Sequence, residues 1–148
     1  MQRTITGALF ILLTASVSSP VFAQEDAIEK RQKLMKSNSA AVKAIKGAIE
    51  SKDYATIETK AKEIMGSAEK IPSVFPKGST TGKTKVKPVI WEKPDEFAKN
   101  PKNLGKAAGE LAAAAKAHDD TAVGVKFKAL GEVCSSCHET FRADKYSE

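Results

Sequence analysis

Both cysteines of this 148-residue chain, and one of its two histidines, fall in the single stretch "GEVCSSCHETFR" near the C-terminus. Cys134, Cys137 and His138 could form a redox dithiol, part of a metal site, or the anchor of a covalently attached haem. A redox dithiol works best at a helix N-terminus beside a βαβ unit, where the helix dipole lowers a thiol pKa. Here the motif lies near the end of the last helical segment of a chain without strand-like alternation. A structural zinc needs four ligands, and His118 is the only further histidine or cysteine. A disulfide between Cys134 and Cys137 would sit badly in a regular helix. Haem attachment asks for what the motif has: two thiols about one helical turn apart to form thioethers, and an imidazole beside them for the iron. One haem c, held covalently by Cys134 and Cys137 with His138 as the proximal iron ligand, is the expected cofactor.

Helices must position these residues. From Ala27 to about Ser51, the rows Ala27, Leu34, Ala41, Ala48 and Ile28, Met35, Val42, Ile49 repeat in sevens, with Ile45 between them. Asp53 suits the N-cap of a second helix whose face carries Ile57, Ala61, Ile64, Met65, Ala68 and Ile71, and which stops at Pro72. The following "PSVFPKGSTTGKTKVKP" excludes regular structure and reads as a long crossing loop. Its "GSTTGKT" has one residue too few between the glycines for a phosphate loop and lacks the flanking strand and helix, so nucleotide binding is excluded. A third helix is predicted from about Pro94 to His118, with irregular first turns at Pro101. After the turn "HDDT", Asp120 or Thr121 caps a fourth helix, where Val123, Phe127, Leu130, Cys134, Cys137 and Phe141 share one face. Together these predict an all-α, antiparallel four-helix bundle enclosing one covalently attached haem.

The first 23 residues read as a cleaved secretory signal: Arg3, an apolar run from Gly7 to Val17, and small residues at Val21 and Ala23 before the cut. Residues 24–148 are then a single mature domain in the bacterial periplasm, with no transmembrane segment. The net charge of +6 is spread over lysines in every segment. It suits acidic redox partners or anionic surfaces, and without clustered arginines or interleaved aromatics it gives no case for nucleic acid.

Four helices ending in "CSSCHETFR", with Ile90-Trp91 after a Pro/Gly loop and "KRQKLMKSN" in the first helix, resemble the cytochrome c′ family of class II cytochromes c. These proteins are themselves standard four-helix bundles. In high-spin members the position matching Met35 holds a non-ligating Leu or Phe, whereas the low-spin branch, the cytochromes c-556, has Met. The resemblance thus implies Met35 as sixth iron ligand. It also implies a contact of Arg31 with a haem propionate, and a place for Arg142 beside the proximal imidazole. Read from the residues alone, Met35 and Met65 remain equal candidates, and both suit core packing. Met35 and His138 each lie about 12–14 Å from the same end of a bundle built of the expected helices, so they can face each other across an iron. His118 lies about 30 Å of helix from His138 and suits a helix end or the surface. Arg31 could equally be a surface arginine with a buried stem, and Arg142 a solvated one. Phe127, Phe141 and Trp91 are expected to form the apolar wall around the haem.

His/Met ligation leaves no open iron site, so the expected function is one-electron transfer between periplasmic redox proteins rather than an enzyme reaction. The alternative is a five-coordinate haem that binds nitric oxide or carbon monoxide, as high-spin relatives do; a thiol-disulfide oxidoreductase is a third reading. High-spin relatives dimerise through helices 1 and 2; the lysines of those helices in this chain favour a monomer over a homodimer.

Overall fold

Small and branched residues on a seven-residue repeat give the first helix its buried face. The computed structural model describes residues 20–144; residues 1–19, most of the expected signal segment, lie outside them. Helix α1 (Pro20–Glu50) buries Ala27, Ile28, Ala41, Ile45 and Ala48, while Leu34, Met35, Val42 and Ile49 are partly buried. It begins at Pro20 rather than Ala27, so the expected cleavage point after Ala23 falls inside its first turns.

Helix α2 (Tyr54–Lys70) is capped by Asp53, as expected, whose carboxylate accepts from the Thr56 amide at 3.0 Å. Lys52 sits in the left-handed region (φ 54°), which lets the Asp53 amide donate back to the Ala48 carbonyl at 2.8 Å and closes the turn. The hairpin of α4 (Pro94–Lys116) and α5 (Asp120–Phe141) repeats this design, with His118 at φ 54°. Its cap is Asp119, which accepts from the Ala122 amide at 2.9 Å, and not the expected Asp120 or Thr121. Asp120 is drawn across to the other hairpin, where it accepts from Lys52 Nζ and the Tyr54 hydroxyl. Tyr54 also stacks on His118, so the two turns close one end of the bundle together. Asp53→Ala and Asp119→Ala should each lower stability by about 1 kcal/mol. Urea unfolding measures this, and midpoints unchanged in both variants would show that the caps contribute nothing.

Pro101 does not disturb α4, contrary to expectation. Lacking an N–H, it leaves the Phe97 carbonyl without a helical donor, and the Asn100 side-chain amide donates there (3.3 Å) and to the Glu96 carbonyl (3.0 Å). Ala68 faces Gly105 and Met65 faces Gly109, an opposed order that makes α2 and α4 antiparallel.

Close packing joins α1 to α2, α2 to α4 and α4 to α5, but α1 and α5 do not form such a pair. The bundle is therefore open along one seam. Its dry core, with Ile45, Ile57, Ile64, Leu111, Val123 and Leu130 essentially inaccessible, fills the half nearer the two hairpin turns. At the other end runs the crossing segment, which is less irregular than its sequence suggests. It holds a 3-10 turn (Pro72–Val74) and a single-turn helix, α3 (Val89–Glu92), that buries Ile90. Val86 and Arg142 form an isolated antiparallel bridge, flanked by Lys87 N–H to the Phe141 carbonyl (3.0 Å) and Ala143 N–H to the Lys85 carbonyl (2.7 Å). The segment thereby fastens the end of α5. No described helix is long and apolar enough to cross a membrane.

Candidate functional site

At the end away from the hairpin turns, the open seam widens into a cavity of about 500 Å³, within the size range of organic-ligand sites. Helix α1 contributes Met35 and Val42 to its wall, α4 contributes Phe97 and Leu104, and α5 contributes Cys134, Cys137, His138 and Phe141. The one-turn spacing on α5 thus brings both cysteines and the histidine to one apolar space. No disulfide joins the cysteines. Burial raises both thiol pKa values, and the neighbouring Cys134 adds a smaller push that takes Cys137 up to about 11. A redox dithiol requires the opposite shift. Among the described residues no three His, Cys, Asp or Glu side chains are grouped to hold a metal ion by themselves, which leaves the zinc reading without ligands. Partial burial, and then the charge of Arg142, lower the pKa of His138. Both effects favour the neutral imidazole, the form that ligates iron.

The two methionines part company here. Met35 lines the cavity, whereas Met65 is 39% exposed and lies against Gly109 on the α2–α4 face. Met65 is thus neither in the wall nor a buried filler. His118 stands at the far turn, stacked on Tyr54. Met35 and His138 reach the same cavity although their distances to the helix ends differ from those expected: α1 starts earlier, and α5 ends three residues after His138, at Phe141.

Arg31 is no surface residue. Its side chain is buried (4% exposed), and it clamps the crossing segment to α1. Nη1 donates to the Ser79 hydroxyl (3.1 Å) and the Val74 carbonyl (3.4 Å), and Nη2 to the Ser79 carbonyl (3.0 Å) and the Thr84 hydroxyl (2.8 Å). Among the described residues the Nε–H donates to no protein group, and the side chain forms part of the cavity wall. The guanidinium also lies over the Phe75 ring, 4.8 Å from its centroid, and Phe75, Phe97 and Phe141 continue from it as a chain of edge-tilted rings. These three rings make the aromatic wall. Of the residues expected there, Phe141 is present. Phe127 packs instead against the dry core, and Trp91, on α3, does not line the cavity. Phe75 and Phe97 were the wall residues that sequence reasoning missed; Phe75 lies in an aperiodic loop, and only Arg31 and Phe97 place it. Arg142 is exposed at the end of α5, between the cavity and a shallow cleft shared with His138 and Lys87. Arg31→Met should release residues 74–84 by stranding the acceptors it satisfies, at about 2–4 kcal/mol. The check is hydrogen exchange, with faster exchange expected in that segment and unchanged exchange in α2.

These residues fit haem c. Two thiols and an imidazole converge on an apolar cavity of suitable size, a thioether faces them from another helix, and arginine donors stand at its edge. A four-helix bundle whose unpaired seam collects a Cys-x-x-Cys-His defines a class II c-type cytochrome. A model of the family described as Cytochrome C' matches residues 26–142, and the chain belongs to that family. It is 33% identical over 148 residues to cytochrome c' of Rhodospirillum rubrum, across 97% of this chain and 100% of the relative. To cytochrome c-556 of Agrobacterium fabrum it is 32% identical over 146 residues, across 97% of each chain. The crystal structure of cytochrome c' from Thermochromatium tepidum aligns with a TM-score of 0.76 at 28% identity, covering 82% of this chain and 97% of that one. The cofactor is haem c, and family members are haem electron carriers or gas-binding proteins. Near-equal identity to a c' and a c-556 protein does not choose between the two activities; the residues around the iron must.

Proposed function

We propose that this chain is a low-spin one-electron carrier of the bacterial periplasm, with haem c joined to Cys134 and Cys137 and its iron ligated by His138 and Met35. The observation that supports it most is the placing of Met35 and His138, from α1 and α5, on the wall of one cavity. Haem c supplies a single-electron step between ferrous and ferric iron. Cys134 and Cys137 tether it to α5, and His138 is aimed by its place one residue after the second tether. Met35 would hold the iron from the side facing His138, leaving no open site there, and a thioether ligand would favour the ferrous state and raise the potential. Phe75, Phe97, Leu104 and Phe141 keep water from the ring and act in the same direction. The Nε–H of Arg31, which has no acceptor among the described residues, donates to a propionate, and Arg142, whose charge acts on His138, orients or tunes it. Residues 1–23 direct export and are removed, and the lysines on α1 and α2 keep the protein a monomer.

A second reading, a five-coordinate gas binder, is favoured by the similarity to cytochrome c' of R. rubrum; it requires Met35 to pack without ligating. Carbon monoxide added to the reduced protein separates the two. The carrier should show no rapid spectral change at neutral pH, whereas rapid stoichiometric binding establishes the gas binder.

A further inference from the structure

We propose that the lysine-bearing side of α1, which reaches the cavity mouth at Lys36, is the docking surface for an acidic face of a protein electron partner, an inference that rests on the carrier reading. From Lys30 to Ile49 the chain has five lysines, one arginine and no Asp or Glu. Arg31 is spent inside the loop clamp, and Lys30 pairs with Asp26. The other four, Lys33, Lys36, Lys43 and Lys46, are exposed, and none forms an ion pair among the described residues. The other long helices pair more of their lysines with neighbouring carboxylates, Lys60–Glu63 and Lys62–Glu58 in α2, Lys106–Glu110 in α4 and Lys128–Glu132 in α5, while Lys70, Lys99 and Lys102 form no ion pair among the described residues.

Placement gives this strip its meaning. At 3.6 residues per turn the four lysines fall in a sector of about 140° on α1, next to the sector that carries Met35. Lys36 itself lines the cavity. The uncompensated charge therefore meets the cavity at Lys36 and extends from there along the exposed side of α1, on the helix that carries Met35. A field of this kind steers an anionic partner and orients it on arrival. A membrane is a poorer occupant, because a basic helix that binds lipid also presents large apolar side chains to insert. The large exposed apolar residues described are Met65 on α2 and Val125 on α5, with none on α1. A second copy of the chain would set lysine against lysine.

The test compares holoprotein with K33Q/K36Q/K43Q/K46Q and with a control, K70Q/K77Q/K99Q/K102Q, that loses the same charge elsewhere. At low ionic strength, binding of poly-L-glutamate measured by calorimetry should weaken about tenfold or more in the first variant and less than about twofold in the control. Oxidation by ferricyanide, in which ferrous haem gives one electron and leaves ferric haem and ferrocyanide, should slow by a similar factor in the first variant only. Equal losses in both variants would overturn the proposal, leaving net charge alone. Two further results would also overturn it: strip-dependent binding to phosphatidylglycerol vesicles tighter than to polyglutamate, or a strip-dependent dimer in sedimentation. Polyglutamate binding does not depend on the sixth ligand, and carbon monoxide added to the same samples reports ligation, so failure of the docking surface and failure of the carrier reading are seen separately.

Discussion

Met35→Ala is expected to turn a low-spin haem protein into a high-spin one that binds carbon monoxide rapidly and stoichiometrically. The wild-type side chain lies in the cavity wall opposite the Cys-x-x-Cys-His helix, and alanine cannot reach an iron from the same backbone. Because Met35 is only partly buried, the accompanying loss of stability should stay near the low end of the ~2–5 kcal/mol range for buried Met→Ala. The fold should therefore survive for spectroscopy. Met65→Ala is the matched control: that side chain sits outside the cavity, and its removal should leave the visible spectrum unchanged. A spectrum altered by Met65→Ala and not by Met35→Ala would reverse the ligand assignment.

His138→Ala should do more damage, preventing correct haem insertion and costing the cavity half of the bundle its order. Without the haem, the apolar walls of a space of about 500 Å³ lose the group they pack against and face water, a large loss for a domain held by ~5–15 kcal/mol. Two halves of the bundle should respond differently. Ile45, Ile57, Leu111 and Leu130 lie beyond the cavity, in the half tied by Tyr54, His118 and Asp120. Helical signal should persist there while α1 before Met35, the crossing segment and the end of α5 exchange freely. Circular dichroism and hydrogen exchange read this. A colourless, fully helical variant that melts like wild type would contradict it.

The chemistry was easier to read from sequence than its surroundings. Cys134, Cys137 and His138 sit within five residues, so helical geometry alone places them together. Heptad rows predict which face of α1 and α2 is buried, because burial follows period. The wall around the cavity follows tertiary contact instead. Phe75 belongs to a segment with no period and owes its place to Arg31 above it and Phe97 beside it. Arg31 has the outward look of a surface residue in a lysine-rich stretch, and its buried role depends on Ser79 and Thr84, some fifty residues away in sequence. Trp91, large and near the loop, invited a place in the wall, but α3 holds it elsewhere. Met65 fits the period of α2, yet its side chain is 39% exposed, with the sulfur against Gly109 of α4. Pro101 looked disruptive because its replacement donor, the Asn100 amide, is recognisable only once the helix exists.

X-ray absorption at the iron edge of the oxidised holoprotein tests the central claim most directly, because cysteines joined to haem c by thioethers would bond the porphyrin rather than the metal. Met35 ligation predicts one sulfur and five nitrogens in the first coordination shell, with the sulfur lost in Met35→Ala. A shell of nitrogen alone, or a sulfur that persists in that variant, would contradict it.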